Sequence, residues 1–366
     1  MVLVKDIISV LESMAPLGLQ ESYDNSGLLV GNRDQEVTGV LVCLDVIPEI
    51  LEEAERRGCN FILSHHPPFF SGMKKFSGNS LQEQILIKAI RNDLILYNCH
   101  TNLDSVSEGV SGKMADLLGL VNQHILVPRE DDLIKLVCFI PASHLMAVSE
   151  AIFAAGAGCI GNYDHCSYQL SGNGTFKAGE GTHPFTGSIG AVHYEPETRF
   201  ETVLPKHRLK AVIKAMLEHH PYEEVAYDLY PLINKNPSEG LGIVGELDED
   251  STELEFLNKI KGVFGVQVVR HSRLRNKPVR KVALCGGSGS EFLTQAASSG
   301  ADIYLTADIK YHSWFDLPGD ILLVDIGHFE SERFTINVLA DSLIEKFPKF
   351  AVCLTEVNTN PINYLI

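Results

Sequence analysis

The chain has 366 residues, 45% of them hydrophobic and 21% charged, with 47 Asp and Glu against 30 Lys and Arg and a formal net charge of −17 at pH 7. That length exceeds the usual single domain and predicts either two domains or one domain carrying an insertion, while the apolar fraction excludes a disordered or fibrous chain. The acidic excess opposes nonspecific attraction to phosphate backbones and anionic lipid, which removes nucleic acid as a default partner.

The first dozen residues place Lys5, Asp6 and Glu12 where a signal peptide needs an unbroken apolar run. They read instead as an amphipathic helix. A strand over 38–44, a helix over 48–57, a strand over 61–63, a helix over 81–92 and a strand over 94–97 then alternate as in a doubly wound sheet. The longest uncharged apolar stretch, 136–149, is broken by Pro141. It is shorter than the roughly 20 residues that span a bilayer, so no membrane segment is expected.

The middle of the chain repeats itself. Pro141 is followed by Leu145, Ala147, Val148, Ala151 and Ile152, and Pro205 at the same offsets by Leu209, Ala211, Val212, Ala215 and Met216. Each proline ends a strand, 133–140 and 199–204, and begins a helix that leads to a second strand, near 167–170 and 225–230. Two tandem strand-helix-strand units predict a split, ferredoxin-like α+β domain over 129–237, bordered by polar, turn-rich segments. After it the first rhythm resumes. Strands over 282–285, 303–305, 321–324 and 351–354 and a helix over about 328–345 complete a helix-covered, mixed or parallel α/β domain made of 1–128 plus 238–366. The eight cysteines are dispersed without a C-x-x-C pair and read as reduced core thiols of a cytoplasmic protein.

Three segments at the ends of apolar runs carry metal-ligating side chains. Neighbouring side chains in a strand point to opposite faces, so His65 and His66 can meet one centre only where the strand ends, which Pro67 and Pro68 enforce. The other reading is an exposed loop pair. In His100-Thr101-Asn102-Leu103-Asp104 the carboxylate follows a strand by a tight turn; Asp104 is the ligand candidate, and His100 either binds metal or orients a residue that does. An Asx-type turn without metal is the alternative. His328 and Glu332 are four residues apart at a helix start and share a face, as ligands or as an intrahelical pair. Parallel strands gather their chemistry at their carboxyl ends, so distant segments can meet in one crevice. The number of donors suits two ions, because one mononuclear catalytic site needs only three protein ligands.

Weaker signals accompany these. The turn Cys285-Gly286-Gly287-Ser288-Gly289 could offer N–H groups to an anion, or merely permit a tight connection. The segment from Asp308 to His312 follows a strand, and His312 is a candidate acid or base. His219-His220-Pro221 falls at a helix end, where an imidazolium is favoured electrostatically. His183 lies on a flexible loop that could reach over the site.

Together Asp24-Asn25-Ser26-Gly27-Leu28, Ser64-His65-His66-Pro67, His100 to Asp104, Cys285 to Gly289, Lys310-Tyr311-His312 and Gly327 to Glu332 resemble the motifs of the Nif-three-like family, whose members are often called type-two GTP cyclohydrolase I homologues. Tyr23 stands where many members have Trp. The resemblance implies that His65, His66, Asp104, His328 and Glu332 bind two divalent cations, with Glu332 a candidate bridge. It implies a PII-like identity for the insertion and a toroidal homohexamer. The activity expected from it is that of a metal-dependent hydrolase of a nucleotide or small phosphorylated compound, with His100 and His312 as candidate catalytic groups. Paired cations would lower the pKa of water and polarise the bond attacked. A non-enzymatic metal-holding or regulatory assembly is the competing reading. Imidazole with carboxylate suits Zn, Fe, Mn, Co or Ni, and the ion's identity is not legible.

Overall fold

The computed structural model describes residues 1–365, which fall into two compact units, 1–128 with 238–365 and 129–237. The first begins with α1 (Val4–Met14), whose Asp6 carboxylate accepts from the Leu3 N–H at the helix start and whose Val4, Ile7, Ile8 and Leu11 form the buried stripe. There follow β1 (Gly27–Val30), β2 (Val40–Cys43), α2 (Pro48–Arg56), β3 (Phe61–Ser64), α3 (Leu81–Arg91), β4 (Ile95–Asn98), α4 (Thr101–Asp104), α5 (Val110–Leu117) and β5 (Val121–Arg129). Proline at the first position of α2 needs no N–H partner, and the Ser80 hydroxyl caps α3 by accepting from Glu83.

The inserted unit contains β6 (Leu133–Pro141), α6 (Leu145–Ala154), β7 (Ser167–Lys177), β8 (Val192–Pro205), α7 (Leu209–His219) and β9 (Tyr227–Pro231). Its four strands lie in the order β7-β8-β6-β9, every neighbour antiparallel. Alternate residues Leu136, Cys138, Ile140, Phe200 and Leu204 pack against Val148 and Ile152 of α6 and Val212 and Met216 of α7, so both helices cover one face.

The chain then returns through β10 (Asn236–Thr252), α8 (Glu253–Phe264), β11 (Arg270–His271), β12 (Pro278–Ser288), α9 (Leu293–Ser298), β13 (Ile303–Ala307), β14 (Leu322–Asp325), α10 (His328–Glu332), α11 (Thr335–Lys346) and β15 (Val352–Leu354). The expected single helix over 328–345 is two elements, so the turn that carries the acid and the helix that packs on the core are separate. The two units divide within the polar segment 234–238, whose last residues already belong to the long strand β10, with apolar Ile243, Val244 and Leu247 buried further along it.

The first unit has two sheets rather than one continuous sheet. One runs β1-β4-β3-β2-β15, parallel throughout except for antiparallel β1 at one edge; the other runs β11-β14-β13-β12-β10-β5, where the parallel β14, β13 and β12 are flanked by antiparallel β11 and β10. The side-chain alternation of each strand feeds two cores. In the first sheet Val40, Val42, Phe61 and Leu63 face α1 and α11, whereas Leu41, Cys43, Ile62 and Leu96 face α2 and α3. In the second, Val282, Leu284, Ile303 and Leu305 face α5 and α8, and Ala283, Cys285 and Tyr304 face α9. Among the described residues no helix is long and apolar enough to cross a membrane.

A buried ion pair braces the second sheet. The Glu253 carboxylate, 3% exposed, accepts from Arg275 Nε at 2.8 Å and from the Arg275 and Asn276 N–H groups. Burial would raise this carboxyl, but those donors prevail and hold it below its ordinary value of 4.5. Its stabilisation is therefore full above that ordinary value and is lost as pH falls through the depressed one. Glu253→Ala is expected to cost about 3 kcal/mol at pH 7 by leaving buried Arg275 with only the Asp320 carbonyl and Asp302, 3.9 Å away, as partners, and measurably less at pH 3, as urea denaturation at the two pH values will report.

Candidate metal centre

Five strand ends from the two sheets of the first unit deliver the polar cluster. His65 and His66 follow β3 directly and continue its ladder, their N–H groups donating to Cys43 O at 3.2 Å and Leu44 O at 2.9 Å. The strand then ends, and the two rings stand 4.9 Å apart at 46° rather than on opposite faces. β4 leads to His100 and, through α4, to Asp104, whereas β14 leads through Gly327, at φ 93°, to His328 and Glu332. Asp45 follows β2, and Asp308, in the left-handed region at φ 54°, follows β13.

Every imidazole of the cluster is oriented through Nδ1. His65 Nδ1 lies 2.7 Å from Cys99 O, His66 Nδ1 2.7 Å from Asp45 Oδ1, His328 Nδ1 2.8 Å from Asp308 Oδ2 and His100 Nδ1 2.7 Å from Asp24 Oδ1. A carbonyl can only accept, so His65 carries its proton on Nδ1 and leaves Nε2 a bare lone pair. That Nε2 atom is buried without a hydrogen-bond partner, 3.7 Å from Asp104 Oδ1 and 3.9 Å from Glu332 Oε1. Glu332 Oε2 lies 2.9 Å from His66 Nε2 and 3.0 Å from His328 Nε2, and those two nitrogens are 3.3 Å apart.

Burial would lower the two outer imidazoles, but carboxylates reverse it: Asp45 and Glu332 raise His66 to about 10, and Glu332 and Asp308 raise His328 to about 9. His65 is lowered by burial. Burial and the nearby Glu332 push the Asp104 carboxyl well up; Glu332, against its own burial, is held well down by His328, His65 and His66.

The ligand atoms of His66, His328 and Glu332 all lie within 4.8 Å of one another, as do those of His65, His66 and His100, and either group could hold a metal ion. The donor chemistry fits: borderline nitrogens and hard oxygens, an orphaned buried nitrogen, and outer oxygens, three carboxylates and one carbonyl, that fix the rings. Asp45→Asn, which leaves His66 in place but removes its negative partner, is expected to weaken metal binding about 10–100-fold in a chelator competition titration.

Asp24 and Asp45 are supporting groups that motif reading alone leaves without a role. Asp24 accepts from His100, the Ser26 and Thr101 hydroxyls and the Thr101 N–H, which against burial hold its carboxyl well down. The usable signal was position, since Asp45 and Asp308 follow the carboxyl ends of parallel strands as the histidines do. Lys74 and Lys75 were also missed: they line the cavity of about 900 Å³ that contains His66, His100 and His328, together with Phe70, whose ring meets that of His100.

Of its two readings, anion cradle or tight connection, the geometry of the glycine turn agrees with the second. The Gly286, Gly287 and Gly289 N–H groups donate to the hydroxyls of Ser111, Ser331 and Thr306 and so are already engaged. Gly287, at φ 61°, is required by close approach: a Cβ there would lie 2.1 Å from Glu332 Oε1. His312 is exposed on a short turn with its ring against Tyr311 and belongs to neither metal-ligating group. His183 is tethered inside the inserted unit, its N–H donating to Glu223. His219 ends α7 with Nδ1 on the Ala215 carbonyl, a helix-end contact, whereas His220 Nε2 reaches the Phe139 carbonyl of β6 and burial lowers its pKa, against the imidazolium expected there.

A two-sheet α/β unit with a histidine–carboxylate cluster at its strand ends defines a class of protein built around a potential metal site. The comparison with known proteins narrows it. Residues 2–361 match the model of the Duf34/NIF3 (NGG1p interacting factor 3) family, and the chain belongs to that family. It is 38% identical to the "GTP cyclohydrolase 1 type 2 homolog" of Halalkalibacterium halodurans over 98% of each chain, and 35% identical to that of Bacillus subtilis over 99% of this chain and 98% of the other. Its fold is similar to the crystal structure of a Bacillus cereus protein related to NIF3, with a TM-score of 0.85, 36% identity and coverage of 100% and 99%.

Proposed function

We propose that the chain binds two divalent cations through His65, His66, Asp104, His328 and Glu332 and is a metal-dependent hydrolase of a nucleotide or another small phosphorylated compound. The observation that carries this reading is the common orientation of the imidazoles: His65, His66 and His328 each have Nδ1 on an oxygen while Nε2 approaches the buried Glu332 carboxylate. Divalent cations at such a place supply Lewis acidity and lower the pKa of water towards neutrality. The protein's own part is positioning. Asp45 and Asp308 hold two rings, and His100, fixed by Asp24, is placed to take or return a proton at Nε2 beside His65 and His66. Lys74 and Lys75, which line the cavity with Asp45 and Glu83, offer an anionic substrate local positive charge in an otherwise acidic chain. His312 is kept as a candidate acid only if closure brings it to the substrate. The GTP cyclohydrolase label of the relatives supports a purine nucleotide, in which the imidazole ring would be opened.

The proposal extends to the remaining expectations: a homohexamer, and a ferredoxin-like, PII-like identity for 129–237, which the strand order β7-β8-β6-β9 supports. The deciding experiment combines metal analysis of the purified chain with a turnover screen of GTP, other nucleotides and phosphomonoesters, using wild type and His66→Ala. About two ions per wild-type chain, a reduced content in the variant and turnover lost with the metal are expected. Metal retention without any turnover leaves a metal-holding assembly and overturns the hydrolase.

A further inference from the structure

The inserted unit contains a second concave site unrelated to the metal cluster. Because α6 and α7 cover the sheet face that carries Leu136, Cys138 and Phe200, the alternate residues Phe139, Glu197 and Arg199 lie on the other face. There they line a cavity of about 630 Å³ with Thr182, Pro184 and Phe185 and with Tyr222, Glu223 and Glu224 of the connecting segments. That volume lies within the range of small-molecule sites, about 300–1,000 Å³.

The lining has a definite chemistry. Glycines in β7 leave the floor low: opposite Glu197, a Cβ on Gly172 would meet nothing within 4 Å, and Glu197 Oε2 sits 2.0 Å from where a Cβ on Gly174 would be. The Glu197 carboxylate therefore lies across the floor, and its Oε1 accepts from the Tyr222 hydroxyl at 2.7 Å. The Tyr222 ring stands 6.5 Å from that of Phe176 and 6.1 Å from that of Phe185, forming an aromatic wall beside the carboxylate. Arg199 does not neutralise Glu197, since its Nε donates to Glu201 at 2.8 Å. Glu223 and Glu224 add further negative charge at the edge, so three carboxylates line the cavity against Lys177 and the Glu201-paired Arg199.

We propose that this cavity binds a small planar aromatic molecule bearing a protonated amine, with the ring against Phe176, Phe185 and Tyr222 and the ammonium group on Glu197. The rings supply apolar area and a quadrupole that attracts a cation; the carboxylate supplies a charge-assisted hydrogen bond. An anion of the same shape meets the same wall but is repelled at the floor.

The test is calorimetric titration of the full-length protein with a matched trio, tryptamine, indole and indole-3-acetate. Tryptamine is expected to bind at least about tenfold more tightly than indole-3-acetate, the scale of one charge-assisted bond. Glu197→Gln should bring the two within about threefold of each other while indole is unchanged. Gly172→Leu, whose side chain has room to project into the cavity without backbone strain, should remove binding of all three and leave the thermal midpoint unaltered. Equal affinities for the charged pair, a tryptamine preference that survives Glu197→Gln, tryptamine binding that survives Gly172→Leu, or no binding of any probe at about 5 mM overturns the assignment.

Discussion

Glu332→Gln is expected to strip the metal centre while leaving the fold intact. The side chain is 5% exposed, and its carboxylate lies within 3.9 Å of three imidazole Nε2 atoms, so no other residue can take over its place between them. Glutamine preserves the volume but removes the charge that offsets a cation and presents one weak donor oxygen where two anionic ones stood. The loss of affinity should exceed the roughly 10–100-fold expected for outer partners such as Asp45. Metal content after gel filtration, read beside an unchanged far-ultraviolet circular dichroism spectrum, is the measurement. A variant that keeps the wild-type metal content would remove Glu332 from the centre, and with it the bridging role.

The second large effect is predicted for a residue with no side chain. Gly287→Ala places a methyl group 2.1 Å from Glu332 Oε1 and 3.4 Å from His328 Cε1, at a φ of 61° that costs a non-glycine residue about 1–2 kcal/mol. The carboxylate is held on its far side by His66 and His328, so it can yield only by leaving them. Metal binding should fall about as far as in Glu332→Gln, with stability reduced by about 1–3 kcal/mol for the strain and overpacking. The control is Gly262→Ala in α8, where a Cβ meets nothing within 4 Å; it should keep its metal and gain up to about 1 kcal/mol in helix stability. Equal metal content in the two glycine variants would show that the tight approach at Gly287 has no bearing on the site.

The sequence by itself determined the elements whose local pattern matches their environment. β2, β3, β4, β13 and β14 are short apolar runs because both faces are covered, and α2, α3 and α7 show their buried stripe and their terminating residues directly. The histidines and acids at strand ends were visible for the same reason: a strand's carboxyl end is marked by the loss of apolar residues, and ligating side chains there stand out. β1 and β10 were not visible, since glycines and acids interrupt the alternation that identifies a strand. Tertiary structure alone decided that the strands form two sheets, because partner choice depends on hydrogen bonds between segments far apart in the chain. It also decided which nitrogen of each imidazole is turned away from its outer oxygen, through Cys99, Asp45, Asp308 and Asp24, and that the glycine turn is a space left for Glu332. A residue's type records what it can donate; its partner, its protonation and the room beside it are properties of neighbours the chain brings in from elsewhere.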